Sequence, residues 1–222
     1  MFHQIANSAR ILEELLKLYP LQPSNENYVL DLGCGKGLTS FILARETGAK
    51  VYATDLWIPA EDNAKRFREW GAGEQIIPVH EDANELKFDK DQFSSLVSID
   101  SYHYFATKKG FFEEKILPFL SDGAVALIGV PGIKDEFLGR AEELLSDWLG
   151  DEAYMFQSPS VWKEIIGTSD RIDCVEVWEM ECFDAAWEEW FATEHKYALG
   201  DKQFYDALIK PYTCFVGIYI KL

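Results

Sequence analysis

The chain has 222 residues, 48% of them apolar, and a formal net charge of −17. That length suits one α/β domain with insertions and a full core. The charge excludes a polyanionic partner, because nucleic-acid enzymes need a basic footprint and none is present. The four cysteines, Cys34, Cys174, Cys182 and Cys214, form no Cys-x-x-Cys pair and no metal spacing with the four histidines. They read as buried thiols in a reducing compartment, and no metal is expected. No charged segment followed by an apolar run opens the sequence, and no stretch reaches membrane-spanning length, so a soluble cytoplasmic protein is expected.

Taken in order, Ile5, Ala9, Leu12, Leu16 and Tyr19 recur at four and three, which predicts an amphipathic helix over residues 3–19 stopped by Pro20. Tyr28 to Leu32 reads as a buried strand. It breaks into glycines at alternate positions, Gly33, Gly35 and Gly37, before a helical pattern begins at Leu38. Glycine there accepts positive φ and, lacking Cβ, lets the main chain approach a ligand. The helix should carry Leu38, Phe41 and Ile42 on one face and end at Gly48. Val51 to Thr54 is a second strand with Asp55 at its carboxyl end. An acid there can accept both hydroxyls of a ribose; otherwise it would cap the next helix, which Pro59 and Ala60 begin. Ile76 to His80 is a third strand, followed by Glu81-Asp82-Ala83. Phe93 to Ile99 is a fourth, ending in Asp100-Ser101-Tyr102-His103-Tyr104. A helix over Thr107 to Leu120, a strand over Ala124 to Val130 and a helix over Asp135 to Leu149 follow. Arg171 to Cys182 and Thr213 to Leu222 alternate as two further strands.

Asp31-x-Gly33-x-Gly35-x-Gly37 departs from the dinucleotide pattern Gly-x-Gly-x-x-Gly, which needs a small residue where Leu38 stands. It resembles motif I of the class I S-adenosylmethionine (SAM)-dependent methyltransferases. The resemblance implies a Rossmann-like, doubly wound, seven-stranded and mostly parallel sheet with an antiparallel last strand. It also implies SAM as cofactor. The turn of Gly33, Cys34, Gly35 and Gly37 would pass under its methionine part, with Asp31 near the amino end. Asp55, followed by Leu56, matches the family's ribose-binding acid. Asp82 and Ala83 resemble motif III, whose Asp accepts from the adenine amine. Residues 27–131 carry the likeness. The whole chain, 1–222, then forms one domain, with lid insertions at about 134–168 and 183–211 over the active site. The string at Asp100 is not Asn/Asp-Pro-Pro-aromatic, the motif of enzymes that methylate planar amino groups of bases or glutamine.

Between Lys134 and Lys210 stand seven Lys or Arg and nineteen Asp or Glu, so most of the net charge lies in this third of the chain. Trp148, Trp162, Trp178, Trp187 and Trp190 lie there too. Aromatic faces with carboxylates attract amines and quaternary ammonium groups, which suggests a small cationic or amine acceptor. The plainer reading is that Trp187 and Phe191 pack on the sheet while Glu188, Glu189 and Glu194 are solvated.

Ligands of open α/β sheets lie beyond the carboxyl ends of the strands, so the segment after the fourth strand should face the transferred methyl. His103 is the first candidate for a base and His195 a weaker one. Tyr102 and Tyr104 would align the acceptor, and Asp100 would hold the cofactor's amino end or orient the substrate. The reading is a small-molecule methyltransferase. The alternatives are a SAM-binding protein without methyl transfer and a nicotinamide-dependent oxidoreductase, which would share Asp55 but prefer a small residue at Leu38. Arsenic methylation uses several thiols, and here only Cys174 and Cys182 lie near one another, on one face of a single strand.

Overall fold

In the computed structural model, residues 5–22, 28–193 and 195–222 are described, with side chains from Ser8 onward. Seven strands form one sheet: β1 (Tyr28–Leu32), β2 (Lys50–Asp55), β3 (Ile76–His80), β4 (Phe93–Ile99), β5 (Leu120–Ile133), β6 (Cys174–Glu179) and β7 (Thr213–Lys221). Their order is β3-β2-β1-β4-β5-β7-β6, with β1 to β5 parallel and β7 antiparallel to both its neighbours. The order reverses between β1 and β4. That is the switch point, where the loops leaving two adjacent strands part and open a crevice.

Helices cover both faces. On one lie α1 (Ile5–Leu18) and α2 (Leu38–Thr47), whose Ile11, Leu12, Leu15, Leu43 and Ala44 join Val97, Leu127 and Phe67 of α3 (Ala60–Glu69) in a buried cluster. On the other, Phe93, Leu96, Ile128 and Ile218 pack against Phe112, Ile116 and Trp162 of α5 (Pro159–Ile166). A third, small cluster forms around Ile133, Leu145, Ala153 and Phe156, with α4 (Ala141–Leu149) at its centre. Helices α6 (Phe183–Ala192) and α7 (Lys196–Lys202) complete the cover. Helix α1 holds α6 in place: Glu14 accepts the Glu181 and Cys182 main-chain N–H groups at 3.0 and 2.7 Å, and Arg10 donates to Glu189 at 2.7 Å.

Several sequence expectations shift. The first helix is described from Ile5 to Leu18; residues 3 and 4 lie outside the described residues. In α2 the fully buried stripe is Ser40, Leu43, Ala44 and Thr47, whereas Leu38, Phe41 and Ile42 are only half-buried. The polar residues win the inner face because Asp31 beneath them accepts both the Thr39 and Ser40 hydroxyls. No α-helix spans Thr107 to Leu120. A wide turn over Phe112–Ile116 and a tight one over Leu117–Phe119 stand there instead, because Pro118 has no N–H to continue an α-helical ladder. Strand β5 starts at Leu120, earlier than Ala124, and Gly123 sits at φ 76° inside it. The helix expected from Asp135 is interrupted at Gly139, φ 76°, and resumes at Ala141. Strand β6 is confined to Cys174–Glu179. Cys34 and Cys214 are buried, but Cys174 and Cys182 are only half-buried.

Candidate cofactor and acceptor site

The turn after β1 is built on backbone that side chains disfavour. Gly33, Gly35 and Gly37 have φ of 75°, 54° and 81°. Gly33 and Cys34 donate their N–H groups to Thr54 O of β2 at 2.8 and 3.1 Å, and Gly37 N–H closes the loop on Cys34 O at 2.9 Å. Side chains from three other elements then fix the loop. Asp55 accepts from Gly35 N–H at 2.8 Å, Asn63 of α3 donates to Gly35 O at 2.9 Å, and Ser98 and Ser101 both donate to Leu32 O. Asn63, buried within α3, carries no motif and was not expected from sequence.

Asp55 is buried, and its second oxygen accepts from Trp57 and Ile58 N–H, each at 2.8 Å. It caps the loop after β2 rather than the helix that follows. Asp31 is buried, with Oδ2 on Thr39 and Ser40 at 2.7 and 2.5 Å and Oδ1 without a hydrogen bond. Burial pushes its carboxyl up to about 6, against the pull of those two hydroxyls. Raised above the unfolded value near 3.8, Asp31 makes the folded chain bind the extra proton, so its contribution to stability is full below about 3.8 and is lost as pH rises to about 6. Asp31→Asn should therefore gain on the wild type by on the order of 2 kcal/mol between those two pH values, read from urea unfolding curves. A difference that does not change with pH would show that Asp31 is ionised throughout.

The turn opens on a cavity of about 560 Å³, within the range of small-molecule sites. Gly33, Cys34, Gly35, Leu38 and Thr39 form its floor, Asp55, Trp57 and Ile58 one wall, and Asp100, His103 and Tyr104 of the β4 loop another. The lid supplies the rest: Trp148 and Leu149 of α4, Glu152, Phe156, Trp187 and Trp190 of α6, and His195, Lys196, Tyr197 and Asp201 at α7. Ser8 of α1 reaches the same space.

The expected residues do not all meet there. Gly33, Cys34, Gly35, Asp55, Asp100 and His103 do. Asp31 and Gly37 lie behind the floor. Leu56 is 49% exposed and off the wall, where Trp57 and Ile58 stand instead. Asp82 and Ala83 are also off the wall, and Asp82 turns back on its own loop, accepting from Asn84 N–H and Nδ2 at 2.8 Å. Those two bonds hold its carboxyl below the usual range. Tyr102 is a correction to the expectation of an acceptor-aligning hydroxyl. Its ring is fully buried in the second core cluster, beside Phe105, Phe111 and Trp162, and its hydroxyl has no partner. Tyr102–Tyr104 form one tight helical turn, which carries Tyr102 into the core and turns His103 and Tyr104 to the cavity.

His103 is 2% exposed, with Nδ1 unpartnered and its ring 4.0 Å from that of Tyr104. Burial pushes the imidazole down to about 3, so it is neutral at working pH and weakly basic. The Asp100 carboxyl moves the other way, pushed up by burial to about 7. Its backbone sits at φ 52°, one of two non-glycine residues with positive φ among the described residues, and its N–H is held by Gly129 O at 2.7 Å. The Tyr104 hydroxyl is pushed up by burial first and then by the nearby Asp100 and Glu152 charges.

The lid tryptophans divide. Trp148, Trp187 and Trp190 reach the cavity, while Trp162 lies in the core and Trp178 packs against Tyr19. Trp187 and Phe191 do pack together, at 5.5 Å; Glu188 is exposed and Glu189 pairs with Arg10. Glu194 lies outside the described residues. Sequence reasoning missed Glu152 and Asp201. The available signal for Asp201 was an acid one helix beyond Trp187 and Trp190 in an aromatic-rich insertion.

Residues 29–116 match the family profile described as a methyltransferase domain. Over that stretch the chain carries a methyltransferase domain. Similar solved structures include geranyl diphosphate C-methyltransferase from Streptomyces coelicolor A3(2), in complex with Mg2+, geranyl diphosphate and S-adenosyl-L-homocysteine. It is 17% identical, with a TM-score of 0.77 over 96% of this chain and 78% of that one. A geranyl diphosphate methyltransferase in complex with SAM gives 19% identity and a TM-score of 0.74 over 96% and 84%. Phosphoethanolamine N-methyltransferase 2 from Haemonchus contortus gives 18% and 0.74, over 96% of this chain and 52% of that longer one. At such identities the likeness is one of fold. Among the described residues no group of three or more His, Cys, Asp or Glu is arranged to hold a metal ion, and no helix is long and apolar enough to cross a membrane.

Proposed function

We propose that this methyltransferase transfers the methyl group of SAM to a small amine or cationic acceptor enclosed by residues of about 134–168 and 183–211, the chain 1–222 acting as one domain. One observation carries the reading: a single cavity has the glycine turn and Asp55 at one end and an acidic, aromatic lid at the other. The residues fit SAM. Glycine backbone at Gly33 and Gly35, without Cβ, forms the floor, and the Asp55 carboxylate stands on the wall beside it.

Bound SAM supplies a sulfonium-activated methyl; the chain's residues bind, orient and exclude water. Asp55 takes the ribose hydroxyls, its carboxylate already aimed by three main-chain N–H groups. The floor turn receives the methionine part, with Asp31 acting behind it through Thr39 and Ser40. Trp57 and Ile58, rather than Asp82 and Ala83, border the adenine. The lid aromatics keep water from the reacting atoms. An amine nucleophile must lose a proton, and Asp100 is the group that takes it; neutral His103 positions the acceptor by hydrogen bonding. The acidic surface argues against a nucleic-acid substrate.

Calorimetric titration with SAM and with NAD at fixed salt tests this reading. Micromolar binding of SAM alone supports it, and binding of NAD in place of SAM would overturn it. Asp55→Ala should weaken SAM binding about 30-fold, since about 2 kcal/mol goes with the charged acceptor and with the loop it holds. Unchanged affinity would remove Asp55 from the site.

A further inference from the structure

The lid end of the cavity carries a row of rings that begins at the loop after β4. Phe156 lies 6.3 Å from the His103 imidazole, Trp148 lies 5.6 Å from Phe156, and Trp187 lies 6.1 Å from Trp148, with interplanar angles of 73°, 76° and 62°. All four rings border the cavity. The row is pinned at Trp148. Asp201 of α7 is buried, and its Oδ1 accepts from Trp148 Nε1 of α4 while Oδ2 accepts from Trp190 Nε1 of α6, each at 3.0 Å. Those two bonds tie three segments of the lid together and fix both indoles, whatever else the carboxylate meets. Phe156 and Trp187 are themselves buried, so close-packed neighbours leave them little room to turn. Rings already held in place lose little freedom when a ligand packs against them.

We infer that the amine acceptor is an arylalkylamine, its nitrogen facing Asp100 and His103 and its aromatic ring packed among Phe156, Trp148 and Trp187. This rests on reading the cavity as the methyl-transfer site. Fixed rings set edge to face offer both positive edges and negative faces, so a planar aromatic guest gains quadrupole contacts beyond its burial. A saturated ring of the same carbon count gains burial alone. A lid that served only to exclude water would therefore favour the more apolar guest, which is the saturated one.

The test compares 2-phenylethylamine with 2-cyclohexylethylamine, which carry the same ammonium on the same stem, titrated calorimetrically into the intact chain with and without saturating S-adenosylhomocysteine. The phenyl compound should bind at least about fivefold more tightly. Trp148→Leu should abolish that preference while leaving S-adenosylhomocysteine affinity within about twofold, and Trp148→Phe, which keeps a ring, should retain a preference of about twofold or more. Equal binding of the two probes by the wild type, tighter binding of the cyclohexyl compound, no binding of either at about millimolar concentration, or a preference that survives Trp148→Leu would overturn the assignment. If Trp148→Leu loses its cooperative thermal transition, the wild-type comparison still decides, and Phe156→Leu takes its place. Cofactor affinity without phenyl preference defeats the arylalkylamine assignment alone. Phenyl preference without cofactor affinity defeats the cofactor reading instead.

Discussion

Replacing Asp100 by Asn is expected to lower turnover about 100-fold and to flatten its pH dependence, with SAM affinity nearly unchanged. Asp100 lines the cavity at the carboxyl end of β4, and the chain holds it at φ 52° although a β-carbon there costs about 1 to 2 kcal/mol. Burial raises its carboxyl to about 7. A base must be ionised to accept a proton, so wild-type turnover should fall about tenfold per pH unit below about 7 and level off above it. In the variant that limb disappears, because an amide has no proton to lose in this range. The comparison is made on an acceptor found by screening amines, by following S-adenosylhomocysteine release. Retained turnover with the acid limb intact would assign the limb to another group. His103→Ala should give a smaller loss and keep the limb, since an imidazole pushed down to about 3 does not titrate there.

Gly37→Ala is expected to cost about 2 to 5 kcal/mol of stability, combining the left-handed backbone with overpacking of the core. Gly37 sits at φ 81°, and a Cβ on it would enter the ring of Phe67, which is fully buried. Gly48 is the control. Its φ is 68°, but a Cβ there meets nothing, so Gly48→Ala should cost only the backbone part, about 1 kcal/mol. Urea midpoints of the two variants measure the difference. Equal losses would show that the glycine turn yields to a methyl group by moving Phe67, and that its packing against α3 does not hold it.

The first four strands were legible because each is an apolar run closed by a glycine or an acid, and β3 and β4 fall where they were expected. Motif spacing likewise carried Gly33, Gly35 and Asp55 to the cavity. Sequence failed where a local pattern competes with a tertiary bond. The helical face of Leu38, Phe41 and Ile42 lost to a stripe with Ser40 at its head, because the Asp31 carboxylate needs hydroxyls beneath α2. Tyr102 and His103 are neighbours in one polar string, and only the course of the backbone decides which reaches the cavity and which the core. Asp82, expected at the adenine, has Oδ1 engaged by Asn84, two residues on, and does not border the cavity. The Trp148–Asp201–Trp190 bridge joins residues up to 53 apart in three helices, and no periodicity records such a meeting.

The position of β7 has a consequence for the order in which this sheet is assembled. It is the last of the seven strands in sequence, yet it lies between β5 and β6, and among the described residues β6 pairs with it alone. While the first five strands can pair as they emerge, the β6 segment must wait, unpaired, through the synthesis of the whole second lid insertion. Only when β7 slides in does β5 cease to be an edge and β6 gain a partner. The cofactor end can therefore exist before the acceptor end does, and a ribosome-stalled chain ending before Thr213 should present the glycine turn without its cover.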